Sequence, residues 1–129
     1  MDSPIGCEKS NAGLPTRGKS VAPRRFRALY IHVPFCRSKC DYCAFYSIPG
    51  AAPGLRKAWL DRVDNVELPG AAAVSEPLQS VYIGGGTPTV LTPAELVRLG
   101  TAVWRHFKPA DDCEITAECN PESLDGEKA

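Results

Sequence analysis

Three cysteines in one short segment are the residues of this sequence best suited to do chemistry. Cys36, Cys40 and Cys43 follow one another with C-x₃-C-x₂-C spacing. Thiolates are soft ligands that suit iron–sulfur clusters or zinc, and a [4Fe–4S] cluster normally takes four of them. Three cysteines leave one iron of such a cluster without a protein ligand. The spacing therefore predicts a reactive cluster whose free iron can bind another molecule.

A structural zinc site is the alternative for the same cysteines. It would need a fourth ligand, for which His32 and Cys119 are candidates. Structural zinc usually takes two C-x₂-C units from separate segments, and this sequence has no second unit. This difference favours the cluster, and zinc stays open as the alternative. The other cysteines have no comparable spacing, and we expect Cys113 and Cys119 to be buried as small apolar residues.

A glycine run and one acidic residue are the next candidates. Residues 84–89 have the sequence Gly-Gly-Gly-Thr-Pro-Thr, and Glu118 ends a segment of alternating polar and apolar residues. Glycine lets the backbone approach a ligand closely, and backbone carbonyls can accept hydrogen bonds from an ammonium group. Taken alone, the run could also be a tight turn, and Glu118 could pair with a surface lysine.

These candidates follow segments with strand character. Residues 28–33 and 80–83 are short apolar runs, and residues 114–119 alternate strictly, which sets Ile115 and Glu118 on opposite faces. The cysteines follow the first predicted strand, the glycine run follows the second, and Glu118 lies near the end of the third. We therefore expect all of them at the carboxyl edge of one sheet.

Two helical patterns separate the predicted strands. The first has apolar residues at helical spacing and is stopped by a Pro-Gly pair at 69–70: Leu55, Trp59, Val63 and Val66. The second begins with a capping box from Thr92 to Glu95 and has an apolar stripe: Leu96, Leu99, Val103 and Phe107. Alternating strands and helices predict an α/β fold with a parallel sheet, and three strands leave barrel and open sheet both possible.

Composition limits the classes of function. The chain has 129 residues, with 15 basic and 15 acidic side chains, so net charge gives no support for a nucleic-acid partner. No apolar run has the roughly 18 residues of a transmembrane segment, and no signal peptide is apparent, so we expect a cytoplasmic protein. Residues 1–27 are predicted to be a flexible leader. The sequence stops about where a third helix should begin, so we expect an N-terminal fragment.

A phosphate-loop pattern in the leader is misleading. Residues 13–20 match G-x₄-G-K-S letter for letter. No apolar strand precedes them, and Pro23 obstructs the helix whose N-terminus would hold the phosphates. We therefore predict no nucleotide site there.

Taken in order, the motifs resemble the radical S-adenosylmethionine (SAM) superfamily. The resemblance rests on Tyr-Ile-His-Val-Pro-Phe-Cys at 30–36, the cysteine spacing that follows, the run at 84–89, and Glu-Ile-Thr-Ala-Glu-Cys-Asn-Pro at 114–121. Within the superfamily they are most similar to the branch that contains oxygen-independent coproporphyrinogen III oxidase and the heme chaperone HemW. The resemblance implies that residues 28–129 are the first part, about three βα units, of a partial parallel β/α barrel that continues beyond this chain.

The resemblance also implies a mechanism and a set of residues. In this superfamily the free iron chelates the amino and carboxylate groups of SAM, and an electron from the cluster splits SAM into methionine and a 5′-deoxyadenosyl radical. Cys36, Cys40 and Cys43 match the cluster ligands. The residues that match SAM contacts are Gly85, Gly86 and Thr87 for the methionine moiety, Glu118, Tyr30 near the sulfonium, and, less directly, Tyr42, through a backbone group or beside the adenine. No residue matches a separate catalytic group.

One departure distinguishes the two relatives. The oxidase typically has a further cysteine two places after the third ligand, where this sequence has Phe45. The resemblance therefore favours a heme chaperone, with heme as a bound cofactor of the full-length protein and a heme-acceptor protein as its partner. An oxidase acting on a porphyrinogen and a zinc-stabilised module without catalysis remain the alternatives.

Overall fold

Three parallel strands form the main sheet of the computed structural model, which describes residues 26–66 and 76–129. They are β1 (Ala28–Val33), β4 (Leu78–Gly85) and β5 (Pro109–Ala117), in the order β1-β4-β5. Two very short strands, β2 (Phe35–Cys36) and β3 (Ile48–Pro49), form a second parallel pair. The helices are α1 (Pro53–Asp64) and α2 (Pro93–His106), with short 3₁₀ helices at Pro88–Val90 and Pro121–Ser123. The predicted α/β class with a parallel sheet is confirmed.

The register of the sheet decides which residues share a face. β1 and β4 pair from Ala28 beside Ser80 to Val33 beside Gly85, without interruption. Between β4 and β5 the register shifts after Leu78, and Ser80 then lies beside Glu114. Partners in a parallel pair project to the same face, so the side chains near the carboxyl edge line up across three strands.

The third strand differs from its prediction at both ends. β5 begins at Pro109 rather than at Glu114, because the register shift adds residues that have no alternating pattern. It ends at Ala117 rather than at Cys119, although the Glu118 N–H still bonds Ile83 O at 2.9 Å. The chain therefore follows the strand direction as far as Glu118.

Helix α2 begins with the capping box that its sequence predicts. Thr92 Oγ1 accepts from the Glu95 N–H at 3.2 Å, and Glu95 Oε2 accepts from the Thr92 N–H at 2.8 Å, which completes the capping box. Leu99 and Val103 are buried, and Leu96 and Phe107 pack against the same core. The predicted stripe is confirmed.

Helix α1 is shorter than predicted and turns a different residue inward. It ends at Asp64, and the predicted Pro-Gly stop at 69–70 lies outside the described residues. Leu60 is only 1% exposed, whereas Leu55 and Val66 are exposed. Trp59 and Val63, both in the predicted stripe, pack against the core as expected, and Leu60 between them adds to the same face.

The core lies between the two helices and one face of the sheet. Its buried members are Val33, Phe35, Leu60, Leu91, Leu99 and Val103. The Phe35 ring meets Trp59 of α1 edge to face, with centroids 5.6 Å apart. Because Val33 and Phe35 immediately precede the first cysteine, the core anchors the start of the cysteine segment.

Some predictions concern residues that the structure does not describe. The phosphate-loop pattern at 13–20, Cys7 and almost all of the predicted leader at 1–27 lie outside the described residues. Among the residues that are described, no helix is long and apolar enough to cross a membrane.

Candidate functional site

The cysteine loop (residues 36–47), the glycine loop (the run at residues 84–89) and Glu118 lie at one edge of the sheet. Cys36 follows β1 by way of β2, the glycine run begins in the last residues of β4, and Glu118 follows β5. The strands are parallel, so their carboxyl ends meet at the same edge. This is the edge where parallel α/β folds usually place their ligands.

The cysteine loop, residues 36–47, is closed at its base by backbone hydrogen bonds. The Ile48 N–H bonds Pro34 O at 2.6 Å, and the Gly50 N–H bonds Cys36 O at 2.9 Å. Within the loop, Lys39 Nζ donates to Phe45 O at 2.6 Å and to Ser47 Oγ at 3.2 Å. The two ends of the loop are thereby held together while the segment between them faces outward.

The three cysteines of the loop are free thiols. Cys40 is exposed, and Cys36 and Cys43 are half-buried. Across residues 26–66 and 76–129, no three His, Cys, Asp or Glu side chains are grouped to hold one metal ion. Cysteines that ligate a four-iron cluster each bind a different iron, so they need wider spacing than the ligands of a single ion. Their assignment as cluster ligands stays a prediction.

His32, one of the two residues considered as a fourth zinc ligand, is bonded elsewhere. His32 Nδ1 lies 3.1 Å from the Tyr30 hydroxyl, and His32 Nε2 lies 3.0 Å from Tyr46 O. Cys119 is exposed, contrary to the prediction that it is buried, and Cys113 is only half-buried. The reason is that both lie on or just after β5, whose outer side has no neighbouring strand among the described residues.

The glycine loop packs directly against the strands that lead to the cysteines. The Gly86 N–H bonds Val33 O at 2.8 Å, and the Thr87 N–H bonds Phe35 O at 2.7 Å. A Cβ on Gly86 would collide with the backbone of Phe35 and Val33. Glycine is therefore needed for this close approach, whatever ligand the loop binds.

Gly85 has a second requirement for glycine. Its φ of +108° lies in a region that other residues rarely adopt, and a Cβ there would collide with the His32 ring. The peptide of Gly85 is thus turned so that its N–H reaches Glu118 Oε2 at 3.1 Å. The glycine loop and the acidic residue are joined by this bond.

Glu118 is held at both carboxylate oxygens. Oε2 accepts from Gly85, and Oε1 accepts from the Tyr82 hydroxyl at 2.9 Å. A Cβ on Gly84 would come within 2.9 Å of the Glu118 carboxyl carbon, so the carboxylate lies close against Gly84. Each oxygen keeps acceptor capacity for a ligand.

Aromatic rings cover the sheet face beside Glu118. Tyr30 stacks on Tyr82 with centroids 6.1 Å apart, and both rings are open to solvent, 55% and 42% exposed. Tyr30 also contacts His32, whose ring contacts Tyr46. The hydrogen bond that its hydroxyl donates to Glu118 is the main cause that raises the pKa of Tyr82 above its usual value. The Tyr82 hydroxyl therefore stays protonated and remains a donor.

Tyr42 lies apart from this group. It is 91% exposed on the cysteine loop, and a hydrogen bond with the Cys40 side chain raises its pKa. Its predicted place beside an adenine stays a prediction. Tyr82, Tyr46 and Lys39 form contacts at the site that the sequence interpretation missed. Tyr82 could have been found, because strand alternation places it on the same face as Gly84.

Comparison with known protein families identifies the family to which this chain belongs. The model of the radical SAM superfamily matches residues 30–129. The chain belongs to the radical SAM superfamily. The match includes the cysteine loop, the glycine loop and Glu118 together.

Several radical SAM relatives resemble the chain over most of its length. The heme chaperone HemW of Synechocystis sp. is 39% identical over 105 residues, and that of Mycobacterium tuberculosis is 37% identical over 109. These alignments cover 76% and 82% of this chain but 25% and 28% of the relatives. Anaerobilin synthase of Escherichia coli O157:H7 is 33% identical over 113 residues, covering 85% of this chain and 25% of that protein.

A solved structure shows the same architecture. Coproporphyrinogen III oxidase (HemN) of Escherichia coli, described as a radical SAM enzyme, superposes with a TM-score of 0.73 at 28% identity. The match covers 82% of this chain and 25% of that one. The chain therefore spans about a quarter of the length of the relatives that it matches.

The chemistry of the site fits the cofactors of a radical SAM protein. The superfamily implies a [4Fe–4S] cluster and SAM. The loop supplies three thiols, and thiolates are the ligands that such clusters take. Beside them, Gly85 and Gly86 are half-buried, and a Cβ on either would collide with its neighbours. This donor set suits a cluster and a ligand that carries an ammonium and a carboxylate group.

Proposed function

We propose that this chain holds the cofactors of a radical SAM protein whose full-length form is a heme chaperone that delivers heme to acceptor proteins. Cys36, Cys40 and Cys43 would bind the cluster, and SAM would contact Tyr30, Tyr42, Gly85, Gly86, Thr87 and Glu118. The protein would act in the cytoplasm. The observation that carries the proposal is the link between the two loops: the Thr87 hydroxyl lies 3.6 Å from Cys36 Sγ.

The side chains at this edge of the sheet have different roles in binding SAM. When bound, the cluster supplies the electron that cleaves SAM. The Glu118 carboxylate, held by Tyr82 and Gly85, orients a polar group of SAM by hydrogen bonding. Tyr30 covers one side of the ligand, and its hydroxyl is oriented by His32. Because these groups are already bonded to one another, little ordering is needed when SAM binds.

The chaperone role rests on two observations. Relatives at 37–39% identity are named heme chaperone HemW. Phe45 occupies the position where the oxidase typically has another cysteine, and its side chain is exposed on the cysteine loop. A coproporphyrinogen oxidase is the second candidate, because the chain superposes on HemN with a TM-score of 0.73.

The cofactor assignment is tested by anaerobic reconstitution of the full-length protein with iron and sulfide. We expect about four irons and four sulfides per protein, a brown colour and SAM-dependent release of 5′-deoxyadenosine. Cys40→Ala should lose the cluster, whereas Cys113→Ala is the matched control and should keep it. A Cys40→Ala variant with full iron content would disprove the ligand assignment, and a zinc-only product would favour the structural alternative.

The chaperone and the oxidase are separated by a second experiment on the reconstituted protein. Heme binding is followed by absorbance, and coproporphyrinogen decarboxylation is followed by product analysis under anaerobic conditions. Stable heme binding that is transferred to an acceptor, with no decarboxylation, is the expected result. Decarboxylation without stable heme binding would replace the chaperone with the oxidase.

A further inference from the structure

The hydroxyl of Thr87 donates a hydrogen bond to the sulfur of Cys36, with 3.6 Å between the two heavy atoms. Oxygen-to-sulfur hydrogen bonds are longer than those between oxygens because sulfur is larger. The two residues are 51 positions apart in the sequence, so this contact depends on the fold. It is a contact from the glycine loop to one of the three predicted cluster ligands.

The backbone on both sides holds this contact in place. The Thr87 N–H is bonded to Phe35 O at 2.7 Å, directly before Cys36 in the chain. Cys36 itself lies in β2, and its carbonyl accepts from the Gly50 N–H at 2.9 Å. Phe35 is buried in the core at 1% exposure. The hydroxyl and the sulfur therefore belong to one rigid part of the structure.

A hydrogen bond of this kind changes the electron affinity of an iron–sulfur cluster. Reduction adds one electron to the cluster and breaks no bond, and part of the added negative charge spreads onto the cysteine sulfurs. A donor aimed at a sulfur stabilises the more negative, reduced form more than the oxidised form. Removing the donor should therefore make the cluster harder to reduce.

We propose that Thr87 raises the reduction potential of the cluster through its hydrogen bond to Cys36. This inference rests on the proposed function, because it needs the cluster on Cys36. Thr87 acts here as a positioning residue, through the sulfur. The role is additional to the contact with the methionine moiety of SAM expected for the same residue. It also implies that the loop that receives SAM adjusts the ease with which the cluster accepts an electron.

The test compares three variants of the full-length, reconstituted protein in the absence of SAM. Thr87→Val keeps the shape but removes the hydroxyl, Thr87→Ser keeps the hydroxyl, and Thr101→Val makes the same substitution on the exposed side of α2, where the hydroxyl bonds Val97 O. The midpoint potential is measured by electron paramagnetic resonance during titration with dithionite. Iron content is measured on the same samples.

We expect Thr87→Val to lower the ratio of reduced to oxidised cluster at a fixed potential by roughly three- to tenfold, which corresponds to about 30 to 59 mV for a one-electron couple. Thr87→Ser and Thr101→Val should match the wild type. If Thr87→Val does not retain its iron, Thr87→Ala provides the same comparison. An unchanged potential in the variant without the hydroxyl, or an equal shift in Thr87→Ser, would overturn the inference. Absence of a four-iron cluster from the wild type would overturn the proposed function instead.

Discussion

The Tyr82 hydroxyl donates a hydrogen bond to Glu118 Oε1 across the boundary between β4 and β5, at 2.9 Å. The other carboxylate oxygen accepts from the Gly85 N–H. Two donors from the same strand thus fix the orientation of an acidic side chain that follows the neighbouring strand. The Glu118 carboxylate is therefore already oriented before a ligand binds.

Tyr82→Phe tests whether this orientation of Glu118 aids ligand binding, because it removes the hydroxyl that donates to the carboxylate. The ring can keep its stacking on Tyr30, whereas the carboxylate loses one of its two donors. We expect SAM to bind to the reconstituted protein several-fold more weakly, by up to about tenfold, since a hydrogen bond to a charged group contributes about 1.5 kcal/mol. Isothermal titration calorimetry measures the change. Equal affinity in wild type and Tyr82→Phe would show that Gly85 alone orients Glu118.

Two glycines provide a matched test of backbone strain. At Gly85, φ is +108° and an added Cβ would strike the His32 ring, whereas at Gly100 in α2 nothing lies within 4 Å of an added Cβ. Gly85→Ala should lower the free energy of unfolding by about 1–3 kcal/mol. Gly100→Ala should raise it by about 0.5–1 kcal/mol, because alanine suits a helix better. Urea unfolding of the full-length protein, followed by circular dichroism, checks both, and an unchanged unfolding free energy for Gly85→Ala would contradict the clash.

The stability that Glu95 contributes at the N-terminus of α2 should depend on pH. Burial of its carboxylate would raise the pKa, but hydrogen bonds from the Thr92 backbone and from Arg56 outweigh burial and lower it. A lowered folded pKa gives stability that is present above the ordinary value of about 4.3 and is lost as pH falls through the folded value. Below pH 4.3, the wild type should therefore lose stability more steeply than Glu95→Gln.

The control for Glu95 is its partner in the capping box. Thr92→Ala removes the side-chain oxygen that accepts from Glu95 but leaves the backbone N–H that bonds the carboxylate. It should lower the free energy of unfolding by about 1 kcal/mol at neutral pH. It should change the slope less than Glu95→Gln does, because the Thr92 side chain is the smallest of the causes that lower the pKa of Glu95. Unfolding free energies measured at several pH values distinguish the two effects. Parallel slopes for wild type and Glu95→Gln would contradict the assignment.

Local signals predicted the parts of this fold that depend on neighbours in sequence. The capping box from Thr92 to Glu95 needs only residues three apart, and the first strand, β1, ends at Val33, directly before Pro34. Leu60 escaped prediction because the helix face that becomes buried depends on where the sheet lies. In physical terms, its burial is decided by tertiary packing and not by the period of its own helix.

In the candidate site too, some features follow from the local sequence and others depend on the tertiary fold. The positions of the cysteines, the glycine run and Glu118 at one edge follow from strand order, which the alternation of elements predicted. The bond from Tyr82 to Glu118 spans 36 residues and depends on a register that shifts between Leu78 and Ser80. No local pattern encodes that shift, so alternation could place Tyr82 on the face of Gly84 but could not identify it as the partner of Glu118.

The outer edge of β5 should make the 129-residue chain associate with itself. Within residues 26–66 and 76–129 no strand pairs with this edge, and Ile115 on β5 is 56% exposed. Unpaired backbone groups beside an apolar side chain form a template for pairing with another copy. We expect the isolated chain to be poorly soluble, inactive and oligomeric in sedimentation experiments.

Ile115→Lys should shift the isolated chain towards monomer, because a lysine on an edge strand opposes pairing between edges. Val97→Lys is the matched control: Val97 is also an exposed apolar residue, but it lies on α2, away from the strand edge. Both variants add the same charge, so a general effect of charge on solubility would move them equally. A larger monomer fraction for Ile115→Lys than for Val97→Lys would locate the association at β5. A monomeric, cooperatively unfolding wild-type chain would contradict the prediction altogether, since it would mean that the exposed edge does not drive pairing.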